Sequence, residues 1–95
     1  MSVLVSATVQ MKNPEKFKEY ASKVPETMGV HGGKMVARGK LSKPLAGEYA
    51  HQVEALFEFP TQEAAQAWYD SDAYQGLVAL RDEAADVNIA IFESF

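Results

Sequence analysis

The sequence predicts an α+β domain in which helices cover one face of an antiparallel sheet, in the order β-α-β-β-α-β. Three observations carry this. SVLVSATVQ (Ser2 to Gln10) and QVEALFEF (Gln52 to Phe59) alternate along the chain with a period of two, the mark of half-buried strands. Each is followed by apolar residues at helical spacing. The chain then closes on VNIAIFESF, a third run rich in β-branched and aromatic residues.

The first strand places Val3, Val5, Ala7 and Val9 on one face and Leu4, Ser6, Thr8 and Gln10 on the other. Asn13 and Pro14 then open a helix, because asparagine caps free N–H groups and proline suits the first helical position. Phe17, Tyr20, Ala21 and Val24 form its apolar stripe, while Glu19 and Lys23 pair on the wet face. Pro25 is expected to kink or restart this helix, with Met28 continuing its buried side. HGG (His31 to Gly33) closes it, since glycine adopts positive φ freely. KMVARGKL reads as the second strand, with Val36, Arg38 and Lys40 on one face, and SKPLAGEYAH as a loop. The third strand turns Val53, Ala55, Phe57 and Phe59 one way and Glu54, Leu56 and Glu58 the other. Pro60 and Thr61 end it and start the helix QEAAQAWY. Asp70 or Ser71 caps a further helix running to about Ala85.

This order is the ferredoxin-like split βαβ unit, whose sheet carries helices on one face only. The other face would hold Leu4, Leu56, Ala90 and Phe92 among Ser6, Thr8, Glu54, Glu58 and Asn88. It is too apolar for water alone and too polar for an intrachain core. Pairing with a second copy is the expectation. At 95 residues the chain makes one domain, residues 1–95, with a modest core that such association would support.

Composition narrows the partners. A net charge of −4 with scattered basic residues argues against nucleic acid, since nothing supplies the counterion-release term. No apolar run approaches the ~20 residues of a membrane span. The start of the chain lacks the basic and apolar segments of a signal peptide, and no cysteine is present for disulfides or thiolate sites. A cytoplasmic protein is expected. Two histidines twenty positions apart form no metal constellation, HGGK is too short for a phosphate loop, and no cofactor is expected. Glu54 and Glu58 share a strand face but lie ~13 Å apart by strand rise, beyond the spacing of a glycosidase pair.

The stretch AWYDSDAYQGLVALRDEA (Ala67 to Ala84) is the densest in chemistry. Trp68 follows Ala64 and Ala65 at helical spacing and reads first as a core anchor, second as a ligand-stacking ring. Ser71 reads as a helix cap, because no local histidine could activate it. Tyr74, Val78 and Arg81 fall in one helical row. Arg81 has no acid three or four residues away, so an anionic partner outside its helix is expected. Glu54, Glu58 or Glu93 is the structural choice and a bound anion the functional one. His31 sits in a loop and could serve as a general acid or base, or as a solvated capping residue. Arg38 could meet a ligand or guard a sheet edge. His51 has no recognisable partner. Tyr20, His31, Arg38, Trp68, Tyr74 and Arg81 are the ligand-binding candidates, with His31 the one catalytic candidate.

NPEKFKEY, GGKMVARG, FEFPTQEAAQAWYDSDAYQGLVALR and NIAIFES together resemble the family catalogued as domain of unknown function 1330, over nearly the whole chain. The block from Phe57 to Arg81 is the most specific part. The resemblance implies a dimeric α+β barrel, in which two sheets face each other in a homodimer, and it implies no established activity. The wider superfamily includes cofactor-independent monooxygenases and isomerases, a weak guide to reaction. His31 departs from the pattern, which favours an aromatic residue there. Three readings follow: a homodimer binding a small acidic or aromatic molecule between helices and sheet, a cofactor-independent oxygenase- or isomerase-like enzyme, or an interaction module with a filled core.

Overall fold

The computed structural model describes residues 2–95. It contains four strands, β1 (Val3–Met11), β2 (Lys34–Lys40), β3 (Val53–Phe59) and β4 (Ala85–Glu93). Four helices join them: α1 (Pro14–Gly29), α2 (Gln62–Asp70), α3 (Asp72–Gln75) and α4 (Val78–Ala84). The sheet is antiparallel in the order β2-β3-β1-β4. With the helices on it, the chain has overall extents of 32 × 32 × 15 Å, those of a thin two-layer slab.

Register assigns the two faces. Val5 stands opposite both Phe57 and Ile91, which puts these residues on the helix side; Val5, Phe57 and Phe59 are buried there with Tyr20, Val24, Met28, Trp68 and Tyr74. Leu4 stands opposite Glu58 and Phe92, and Ser6 opposite Leu56 and Ala90, on the side without helices. The expected division of faces in β1, β3 and β4 is the one observed.

Local chemistry explains the helix starts. Asn13 Oδ1 accepts from the Lys16 amide at 3.1 Å with Pro14 in the first turn, and Thr61 Oγ1 accepts from the Ala64 amide at 3.0 Å. Ser71 Oγ accepts from the Tyr74 amide at 3.2 Å and donates to the Trp68 carbonyl at 2.6 Å, joining α2 to α3. At the end of α1 Gly32 takes φ +77°, and a Cβ on Gly33 would stand 2.5 Å from the Phe59 ring. The chain therefore needs the first glycine for its turn and the second for close packing.

Four expectations are corrected. Of the kink or restart expected at Pro25, the restart does not occur: helix α1 continues through Pro25, because the burial of Tyr20, Val24 and Met28 along one stripe outweighs the lost hydrogen bond. The helix expected from Ser71 to Ala85 is two short ones. It breaks at Gly76, whose amide closes α3 on the Asp72 carbonyl at 2.9 Å. Strand β4 starts at Ala85, where a helix end was expected. In β2 the register shifts between Met35 and Ala37, so Met35, Arg38 and Lys40 share the helix side and Val36 drops out of the alternation.

Candidate functional site

The aromatic and charged residues of α1, α2, α3 and α4 converge behind the sheet. Trp68 is 2% exposed; its ring centroid lies 4.7 Å from that of Tyr74 and 5.4 Å from that of Phe59, within the range of favourable aromatic pairing. Its indole Nε1 donates to Thr27 Oγ1 at 2.8 Å, and that hydroxyl in turn donates to the Val24 carbonyl at 2.6 Å. The Tyr20 and Tyr74 hydroxyls meet at 2.8 Å in the interior.

Arg81 caps this cluster. Its Nη1 donates to Tyr74 Oη at 3.1 Å and to Tyr69 Oη at 3.2 Å, and its Nε donates to Asp82 Oδ1 at 3.2 Å. Burial pulls the guanidinium towards neutrality, but the hydrogen bonds to Tyr69 and Tyr74 outweigh it and hold Arg81 more firmly charged than usual. The expected strand carboxylate is absent from this arrangement. Glu54 and Glu58 point to the helix-free face, where they accept from Ser6 Oγ at 3.3 Å and pair with Lys34 at 3.5 Å. Glu93 lies at the opposite end of β4 from α4. The partner is instead Asp82 on the same helix, one residue on, a spacing that (i, i+3) and (i, i+4) reasoning does not inspect.

Two cavities flank the cluster. One, of about 540 Å³, opens between α2 and β4; Trp68, Tyr69, Gln66 and Arg81 line it on the helix side and Val87, Ile89 and Ile91 on the strand side. The other, of about 90 Å³, lies between α1 and the sheet. Its walls are apolar apart from Tyr20, Trp68 and Arg38. The structure thus brings together Tyr20, Trp68, Tyr74 and Arg81, and sets Arg38 at the smaller cavity.

It does not bring His31 to them. His31 follows α1, its amide donates to the Met28 carbonyl at 2.9 Å, and its side chain lines neither cavity. His51 does find partners: Nε2 stands 3.9 Å from Glu54 Oε2, and its ring packs edge-on to Tyr49 at 5.2 Å. The described residues include no cluster of histidine, cysteine and acidic side chains able to hold a metal ion. No described helix is long and apolar enough to cross a membrane. Sequence reasoning missed Tyr69 and Thr27. Both act across element boundaries, beyond the reach of spacing within one helix.

Tyr20 has a testable consequence. Burial, reinforced by the neighbouring Tyr74, pushes its phenol well above the ordinary tyrosine value. An acid whose folded value is raised contributes stability that is complete below the unfolded value, near 10, and is lost as pH rises beyond it. Urea midpoints measured from pH 8 to 11 should therefore fall more steeply for the native protein than for Tyr20→Phe. Parallel curves would contradict the assignment.

A four-stranded antiparallel sheet in the order β2-β3-β1-β4, with helices on one face, defines a ferredoxin-like α+β domain. The chain belongs to the family described as Domain of unknown function (DUF1330), whose model matches residues 2–95. No curated protein matches it in sequence. Among solved structures it is similar to RPA0582, a protein of unknown function from Rhodopseudomonas palustris, at 17% identity and TM-score 0.84, over 99% of this chain and 82% of that one. A dimeric ferredoxin-like protein of unknown function from Jannaschia sp. CCS1 is 9% identical with TM-score 0.80, over 99% and 100% of the two chains. SnoaB, a cofactor-independent oxygenase from Streptomyces nogalater, is 10% identical with TM-score 0.66, over 99% and 91%. At these identities the likeness is one of fold.

Proposed function

We propose that this protein is a cytoplasmic homodimer that binds a small acidic or aromatic molecule between its helices and its sheet. The observation that carries the binding reading is the 540 Å³ cleft, in which an aromatic wall meets an arginine. An open cleft of this size favours ligand binding over an interaction module with a filled core. The wall of Trp68 and the branched β4 side chains suits a flat apolar body, and Arg81 suits a negative group.

Homodimerisation is supported by the helix-free face. Leu4, Leu56 and Phe92 lie on it, and Phe92 is 55% exposed in the single chain. Several proteins of the same fold are described as dimeric. Facing two such sheets would hide these side chains in an interface of more than ~1,200 Å². Light scattering at micromolar concentration should give a dimer for the native protein and a monomer for Leu56→Lys, which would bury two unpaired ammonium groups. A native monomer, or a Leu56→Lys dimer of equal stability, would contradict the interface.

The second reading, a cofactor-independent oxygenase- or isomerase-like enzyme, draws on the fold shared with SnoaB. His31 stands outside the cleft, so on this reading the Tyr69 hydroxyl, which lines it, would have to handle protons in its place.

A further inference from the structure

We infer that the cleft between α2 and β4 is built for a carboxylate: an apolar monocarboxylic acid, aromatic or branched, whose charged head meets Arg81 and Tyr69. This rests on the proposal that the cleft takes a small molecule, and narrows it from acidic or aromatic compounds to acids.

Arg81 and Tyr69 carry more hydrogen-bond donors than their neighbours accept. A guanidinium has five N–H donors and a phenol one. At Arg81 the Nε proton goes to Asp82 and the two Nη1 protons go to Tyr69 and Tyr74. Both protons on Nη2 have no acceptor among the described residues. They are not sealed away, because no buried side-chain nitrogen or oxygen lacks a partner. Tyr69 Oη accepts from Arg81, and its own proton likewise has no acceptor among the described residues. These unspent donors stand together at the cleft, since Tyr69 and Arg81 both line it.

Nearby acceptors do not absorb them. Asp82 holds only the Nε side and its side chain is 64% exposed, so water weakens its claim on the arginine. Gln66 has Nε2 committed to Asp70 Oδ2 at 3.0 Å, which leaves one amide oxygen at the site. A group that only accepts hydrogen bonds, carries negative charge and is flat fits such a donor set, and a carboxylate is all three. Away from Arg81 and Tyr69 the side chains of the cleft are mostly apolar, Val5, Trp68, Val87, Ile89 and Ile91, with Asn88 the one polar side chain on the strand side. The arginine is held in place before any ligand arrives by its two tyrosine bonds, so little ordering is left for binding to supply.

Calorimetric titration with benzoate, benzamide and benzyl alcohol against the native protein and Tyr69→Phe tests this. The substitution keeps the ring and removes one donor to the ligand together with the acceptor of one Arg81 Nη1 proton, while Tyr74 still holds the arginine. Benzoate should bind saturably, at least about tenfold more tightly than either neutral analogue, and Tyr69→Phe should weaken it about tenfold, the usual scale for a hydrogen bond to a charged group. Neutral analogues binding as well as benzoate, or benzoate affinity untouched in Tyr69→Phe, would overturn the carboxylate assignment while leaving the small-molecule reading in place. Failure of all three compounds to bind would overturn both.

Discussion

Trp68→Ala should destabilise the protein by about 3–5 kcal/mol, the range for deleting a large buried aromatic side chain. The indole is 2% exposed, touches the rings of Phe59, Tyr69 and Tyr74, and is fixed by its bond to Thr27. Collapse into the space is limited, because Phe59 packs tightly on Gly33 and Tyr74 is hydrogen-bonded to Tyr20 and Arg81. With urea slopes of ~1–3 kcal/mol/M, the midpoint should fall by more than about 1 M. A midpoint that barely moves would place the ring on a binding surface and outside the core.

Arg81→Met should have two separable effects. Stability should drop by roughly 2 kcal/mol, from the loss of charged donors to Tyr69 and Tyr74. That is below the ~3–5 kcal/mol of breaking a buried ion pair, because the acid left behind, Asp82, is 64% exposed and rehydrates. Ligand affinity should disappear, since methionine offers no donor to an anion. Thermal melts of the variant, run with and without the ligand that stabilises the native protein, separate the two effects. An Arg81→Met protein whose melting temperature still rises with ligand would show that the arginine is purely structural.

The fold was largely legible because its signals are local. Period-two runs in β1 and β3, the Asn13-Pro14 and Thr61 caps and the glycines at residues 32–33 each state their own conformation within a few residues. What escaped lies between elements. The bulge in β2 that takes Val36 out of the alternation is a property of pairing with β3. The break at Gly76 depends on α3 closing on its own carbonyls.

The site was half legible for the same reason. Trp68, Tyr74 and Arg81 share a short stretch, and helical rows brought Tyr74 and Arg81 together even across the break. Tyr20 arrives from 54 residues away and its hydroxyl contact carries no mark in the sequence. Strand alternation could have excluded Glu54 and Glu58 as partners of Arg81, since it sends both away from the helices. His31 drew notice as a titratable loop residue, but the turn after α1 holds it apart from the cleft.

Native mass spectrometry of the protein purified from its own host tests the central claim most directly. The expected result is a dimer in which each chain carries a small acidic adduct, present on the native protein and missing from Arg81→Met. A bare monomer, or a dimer whose adduct survives loss of Arg81, would contradict it.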